Sequence, residues 1–121
     1  MTRVADFAKD HRVHLLQGAQ ELFPALIEAM DAALSDIQFE TYIFDFTGSG
    51  ATVAQALMRA AQRGVRTQLV VDGVGTGALP SAWAQRFDAA GVQYRVYSPL
   101  GPLGLLLPHR WRSWTMCTCV A

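Results

Sequence analysis

Glu40 is the acid most out of place in this chain. It stands between Phe39 and Thr41, in the run Ile37-Gln38-Phe39-Glu40-Thr41-Tyr42-Ile43-Phe44, which is otherwise mostly apolar or aromatic. A carboxylate in such surroundings must be paired or hydrogen-bonded, or its pKa rises. Two placements satisfy this. Glu40 can lie at an edge or on an exposed face, or it can be a functional carboxylate that orients a partner base. Asp45 and Asp72 each close an apolar run. Both are expected at the carboxyl edge of a parallel sheet, where ligands of open α/β sheets bind. Each can serve a ligand there, or simply cap a turn or the following helix.

Asp72-Gly73-Val74-Gly75-Thr76-Gly77 follows a strand-like run. Its spacing is G-x-G-x-G, not the G-x-G-x-x-G of a dinucleotide loop, and Pro80 separates it from the next helix. A turn is the expected structure. The chain has no G-x-x-x-x-G-K-[ST] loop, and its one lysine is Lys9. His11 and His14 flank the first apolar run and are expected to be structural or solvated. His109 sits in Pro108-His109-Arg110-Trp111-Arg112. That cationic cluster can meet a phosphate, or form a solvated tail. Cys117 and Cys119 are too close in sequence to bridge without strain and lack a second pair for zinc. No metal and no cofactor is expected.

The elements that would position these residues follow from periodicity. Residues 13–16 read as a short strand. A helix follows with Leu22, Leu26, Met30 and Ala33 on one face, and Pro24 requires that this helix begin close by. Residues 37–45 form a second strand, rich in β-branched and aromatic types. Residues 51–63 form a helix with Val53, Leu57 and Ala61 inward, stopped by Gly64 in the left-handed conformation. Residues 65–71 are a third strand. Ser81 caps a helix that carries Trp83, Phe87 and Ala90 on one face. Gly91 ends it, and residues 92–97 are a fourth strand. Two units repeat: Ala60-Ala61-Gln62-Arg63-Gly64-Val65 and Ala89-Ala90-Gly91-Val92. The alternation predicts an α/β fold with a mostly parallel β-α-β-α-β-α-β sheet.

Residues 12–97 are expected to form the α/β domain, and residues 98–121 an irregular end. Residues 98–108 hold three Pro, two Gly and five Leu. The last eleven residues hold two of the three Trp and both Cys, and show neither a turn signal nor a helical face. At 121 residues, with 51% hydrophobic and 17% charged, the chain is neither disordered nor in need of disulfides or metal to fold. Its ten acids balance ten Lys and Arg. No global basic field points to nucleic acid. All ten acids lie at or before Asp88, however, so the C-terminal end is locally basic. Residues 1–10 carry four charges and no apolar h-region. The expected location is the cytoplasm or the inner face of a membrane.

Four motifs in unbroken order resemble bacterial cardiolipin synthases of the phospholipase D superfamily. They are Glu40-Thr41-Tyr42-Ile43-Phe44, Leu57-Met58-Arg59-Ala60-Ala61-Gln62-Arg63-Gly64-Val65, Leu69-Val70-Val71-Asp72-Gly73-Val74-Gly75 and Ala89-Ala90-Gly91-Val92. The resemblance is to the N-terminal part of those enzymes and covers residues 13–112. It implies an incomplete phospholipase D-like half-domain whose full-length relatives carry a second one. It also implies metal-free phosphatidyl transfer, which joins two phosphatidylglycerols and releases glycerol. In such enzymes one histidine attacks phosphorus, a second protonates the leaving alcohol, and lysines hold the phosphate oxygens. Those groups come from H-x-K-x-x-x-x-D motifs.

No copy of that motif is present. Trp111 and Met116 stand two and seven residues after His109; Leu16 and Glu21 follow His14; Val13 and Gly18 follow His11. The resemblance stops after Arg112, where composition also changes. A truncation or a shifted reading frame near Arg112 would explain both. The resemblance therefore assigns no catalytic residue here. It makes Glu40, Asp72 and Gly73 shapers of the pocket, while the cationic cluster by its own chemistry makes His109, Arg110 and Arg112 candidate contacts for phosphate or anionic lipid. The implied partner is an anionic phospholipid or membrane surface, met by Leu100, Leu103, Leu105, Leu106, Leu107, Trp111 and Trp114 together with the two arginines. The same leucines would otherwise pack beneath a second half-domain. The competing functional class is a small non-catalytic α/β binding or interaction module.

Overall fold

Helix and strand alternate along residues 13–97, the part of the chain that the computed structural model describes. The elements are α1 (Gly18–Ala32), β1 (Asp36–Thr41), α2 (Gly48–Gln62), β2 (Arg66–Asp72), α3 (Ser81–Ala90) and β3 (Gln93–Tyr97). The repeated sequence unit explains how the alternation is punctuated. After α2, the Gly64 amide donates to the Ala61 carbonyl at 2.9 Å and the Val65 amide to the Ala60 carbonyl at 3.1 Å. After α3, the Gly91 and Val92 amides donate to the Asp88 and Phe87 carbonyls in the same pattern. Both are Schellman endings, and both need a positive φ, which is 92° at Gly64 and 87° at Gly91. The valine that follows each glycine is buried and leads into the next strand.

The sheet is all parallel, in the order β1-β2-β3. That order moves the chain one way across the sheet. Right-handed crossovers then place α2 and α3 on the same face, and α1 packs against α2. Alternation along the strands agrees. Ile37, Phe39, Thr67, Leu69 and Val71 are buried under the helices. Gln38, Gln68 and Gln93 share a row on the other face, beside the row Glu40, Val70 and Arg95.

Helix α2 lies in the middle of its layer, touching α1, α3 and β2. Its alanines let the neighbours approach: Ala54, Ala56 and Ala60 are fully buried beside Leu57 and Val53. A second nucleus is aromatic. Phe46 lies 4.7 Å from Phe44, 5.7 Å from Trp83, 6.1 Å from Phe87 and 6.4 Å from Tyr94, ring centre to ring centre.

Several elements depart from the expected outline. Residues 13–16 are irregular, so the described sheet has three strands and not four. Val13 and Leu15 are 89% and 85% exposed. Four residues without a ladder partner do not hold a strand, whatever their propensity. The strand expected over residues 37–45 stops at Thr41. Beyond it Phe44 and Phe46 turn into the core, and burial there outweighs continued pairing. Helix α2 starts at Gly48, three residues early. Pro24 lies in the body of α1, at its seventh residue. It leaves one carbonyl a turn back without its amide partner. Ser81 is the first residue of α3; Pro80 holds the N-cap position, with no side-chain cap.

The α1–α2 contact is fastened on its outer side by Asp31. Its carboxylate accepts from Arg59 at 3.1 Å (Nε) and 2.9 Å (Nη2). Arg63 reaches over α1 as well, donating to the Met30 carbonyl at 3.0 Å. The hydrogen bond from Arg59 holds the Asp31 carboxyl below its ordinary value. A depressed carboxyl contributes stability above its unfolded pKa and loses it as pH falls through its folded pKa. Both groups are largely exposed, so screening limits the pair to at most about 1 kcal/mol. Asp31→Asn is expected to lower the urea midpoint slightly at neutral pH. The difference should shrink in high salt and vanish once Asp31 is protonated, as urea titrations at two pH values and two salt concentrations would read.

Candidate functional site

A cleft of about 680 Å³ opens where α1, β1 and the start of α2 meet. Its apolar wall is built by Leu22, Phe23 and Leu26 of α1, Phe39 of β1 and Val53 of α2. Glu40, Thr41, Asp45, Thr47 and Ser49 are among the polar residues that border it. The expected core residue Leu22 is 47% exposed because it faces this opening. Ile43 lines it too, at 64% exposure.

Glu40 is half-buried on β1, opposite Val70 of β2. It lies on the sheet face away from the helices, at the outer strand of the described sheet, and it borders the cleft. Asp45 lies four residues past the end of β1, not at the strand end itself. Its Oδ1 accepts from the Thr47 hydroxyl at 2.7 Å and the Thr47 amide at 2.9 Å. The Thr47 hydroxyl first, and its amide second, hold this carboxyl below its ordinary value. Asp45 is thus a turn-former that leads into α2. The backbone beside it is tight: a Cβ at Gly50 would collide with the Asp45 carbonyl oxygen.

Asp72 ends β2 as expected. Its Oδ1 accepts from the Val74 amide at 2.7 Å and the Gly75 amide at 3.2 Å, capping its own turn. The Gly73 amide donates to the Tyr97 carbonyl at 2.9 Å and so ties this turn to the end of β3. Asp72 and Gly73 shape the loop next to the cleft, whereas Glu40 and Asp45 border the cleft itself. The G-x-G-x-G segment is a turn in the structure, as its spacing implied.

Thr76 belongs to the site's surroundings although no motif marks it. Its hydroxyl donates to the Tyr42 carbonyl at 3.0 Å and accepts from the Phe44 amide at 2.9 Å. A Cβ at Gly75 would run into the same Tyr42 carbonyl. The only hint was a hydroxyl residue between two glycines. No motif marks Phe46 either, although its place in an aromatic run was visible.

Among the described residues, no cluster of three or more His, Cys, Asp or Glu could hold a metal ion. No helix among them is long and apolar enough to cross a membrane. His109, Arg110 and Arg112, like the leucine-rich stretch before them, lie outside the described residues.

The sequence matches no family model. Cardiolipin synthase B of Salmonella typhimurium is 35% identical over 89 residues, which is 74% of this chain and 22% of that protein. Cardiolipin synthase B of Escherichia coli K12 is 34% identical over the same length. The chain is cardiolipin synthase-like. Cardiolipin synthase A of Klebsiella pneumoniae adds 34% identity over 86 residues, 70% of this chain and 18% of that protein. The cardiolipin synthase-like chain thus spans about a fifth of the length of these relatives. The described part is an all-parallel, open α/β sheet, in keeping with an incomplete half-domain.

Proposed function

We propose that this chain carries the cleft-forming, non-catalytic portion of a cardiolipin synthase-type phosphatidyl transferase. The observation that carries the reading is its 34–35% identity to cardiolipin synthases over 74% of its length. The phosphodiester chemistry, with phosphatidylglycerol as donor and acceptor, belongs to that reading. In it, the apolar wall of Leu22, Phe23 and Leu26 faces lipid, and Glu40 shapes the pocket from the end of β1 that borders the cleft. Asp72 and Gly73 support the adjoining loop. The basic cluster of His109, Arg110 and Arg112 meets phosphate or anionic lipid at a membrane surface.

On its own the 121-residue chain is inactive in this reading. It lacks the attacking histidine, the acid histidine and the phosphate-binding lysines together. Removal of a single transition-state donor commonly costs about a hundredfold to a thousandfold in rate. The purified chain, made in a host without its own synthase, is expected to form no cardiolipin above a protein-free control. Turnover of phosphatidylglycerol by the pure chain would overturn this. The family assignment has a separate test. Replacing the 89 matching residues of Escherichia coli cardiolipin synthase B with those of this chain should preserve cardiolipin synthesis. A folded but inactive chimera would argue against it. The missing H-x-K-x-x-x-x-D motif also favours a second reading, a non-catalytic α/β binding module. That reading predicts a chimera without activity and a chain that still binds its ligand.

A further inference from the structure

Thr76 occupies a position that a strand residue would normally fill. In a parallel ladder, a residue donates to the carbonyl before its partner and accepts from the amide after it. The last rung between β1 and β2 pairs Thr41 with Val71. Past that rung β2 turns away at Asp72, and the backbone groups around Ile43 have no strand to meet. The Thr76 hydroxyl supplies both: it donates to the Tyr42 carbonyl and accepts from the Phe44 amide, one residue to either side of Ile43.

The side chain is brought there by Asp72. The Asp72 carboxylate accepts from the Val74 and Gly75 amides, and its carbonyl accepts from the Thr76 amide at 2.9 Å. Gly75, bare of a Cβ, lets the turn lie directly on the Tyr42 carbonyl.

We infer that Thr76 is a positioning residue, a side-chain rung through which Asp72 holds residues 42–44 and so sets the wall of the cleft. With the rung in place, Ile43 faces the cleft while Phe44 is held in the core. This deepens the reading above, since it rests on the cleft being the lipid-facing site, but the hydrogen-bond relay stands apart from any activity.

The test is amide hydrogen exchange on the full 121-residue chain, read by NMR. Leu69 and Val71 of β2 report global opening. In Thr76→Val the Phe44 amide loses its acceptor and is expected to exchange at least about tenfold faster relative to those two reporters. Thr76→Ser keeps the hydroxyl and should restore protection to within about threefold of the wild type. Asp72→Ala, three residues or more from every atom of the rung in sequence, should release the same Phe44 amide, and Asp72→Asn, which keeps an acceptor oxygen, should not. These Asp72 variants decide the matter if Thr76→Val fails to fold. Unchanged relative exchange at Phe44 in Thr76→Val or in Asp72→Ala would overturn the relay, as would a serine variant no better than valine. Each result is independent of the chimera assay. A relay that holds beside an inactive chimera would leave the geometry intact and remove only its link to phosphatidyl transfer.

Discussion

Phe46→Ala is expected to remove about 3–5 kcal/mol of stability, the range for truncating a buried aromatic ring. Phe46 is 8% exposed and lies within 6.4 Å, ring centre to ring centre, of Phe44, Trp83, Phe87 and Tyr94. Those partners come from the loop after β1, from α3 and from β3. Their shared ring is what joins that loop to α3 and β3. Small domains have about 5–15 kcal/mol in total, so this one change takes a large share. Ile43→Ala, three residues away in the same loop, is the control. Its side chain is mostly exposed, and a change there should stay within about 0.5 kcal/mol. Urea melts of the two variants give the comparison. A Phe46→Ala midpoint close to that of Ile43→Ala would show that the aromatic cluster does not hold the fold.

Gly50→Ala is expected to cost about 1–3 kcal/mol, the usual range for forcing atoms into a packed site. In an ordinary helix this change stabilises, by about 1 kcal/mol, because alanine is the better helix former. The sign reverses here because the new methyl meets backbone, the Asp45 carbonyl, and not the flexible end of a side chain. The first turn of α2 and the loop before it must separate. Both border the cleft, so its shape should change along with the stability. Thermal unfolding of Gly50→Ala beside Gly48→Ala separates contact from conformation. Gly48 has open space around its missing Cβ but a positive φ of 50°, so its cost is purely conformational. A stabilised Gly50→Ala would contradict the close approach.

The glycine stops and the helix faces were legible because both are local. Gly64 and Gly91 follow helical stretches directly, and Trp83, Phe87 and Ala90 share a face by spacing alone. The parallel sheet followed from the same alternation. What sequence could not show was where pairing would stop. Residues 42–45 have the composition of a strand, but Phe44 turns into the core onto Phe46, whose own ring meets α3 and β3, and that packing is not legible along the chain. Residues 13–16 erred the same way: a strand needs a neighbour, and propensity says nothing of one. At the site, Glu40, Asp45 and Asp72 stood out as acids at strand ends or within strands. Thr76 did not, because its role depends on a carbonyl and an amide 34 and 32 residues away.

The one-way strand order has a bearing on how this sheet comes into being. Asp36 and Arg66 face each other across β1 and β2 but lie 30 residues apart in the chain. Gln68 and Gln93 stand in a similar relation across β2 and β3. Among the described residues no hairpin is available to start the sheet cheaply, and each pairing must first close a long loop against its entropy. Helices, by contrast, wind within about a microsecond. The alanine-rich α2, which touches both neighbouring helices and β2, is therefore the natural first scaffold. No strand of the described sheet can meet its neighbour until the helix between them has shortened the distance, so the fast helices prepare each pairing and the closing of those long loops sets the tempo of folding.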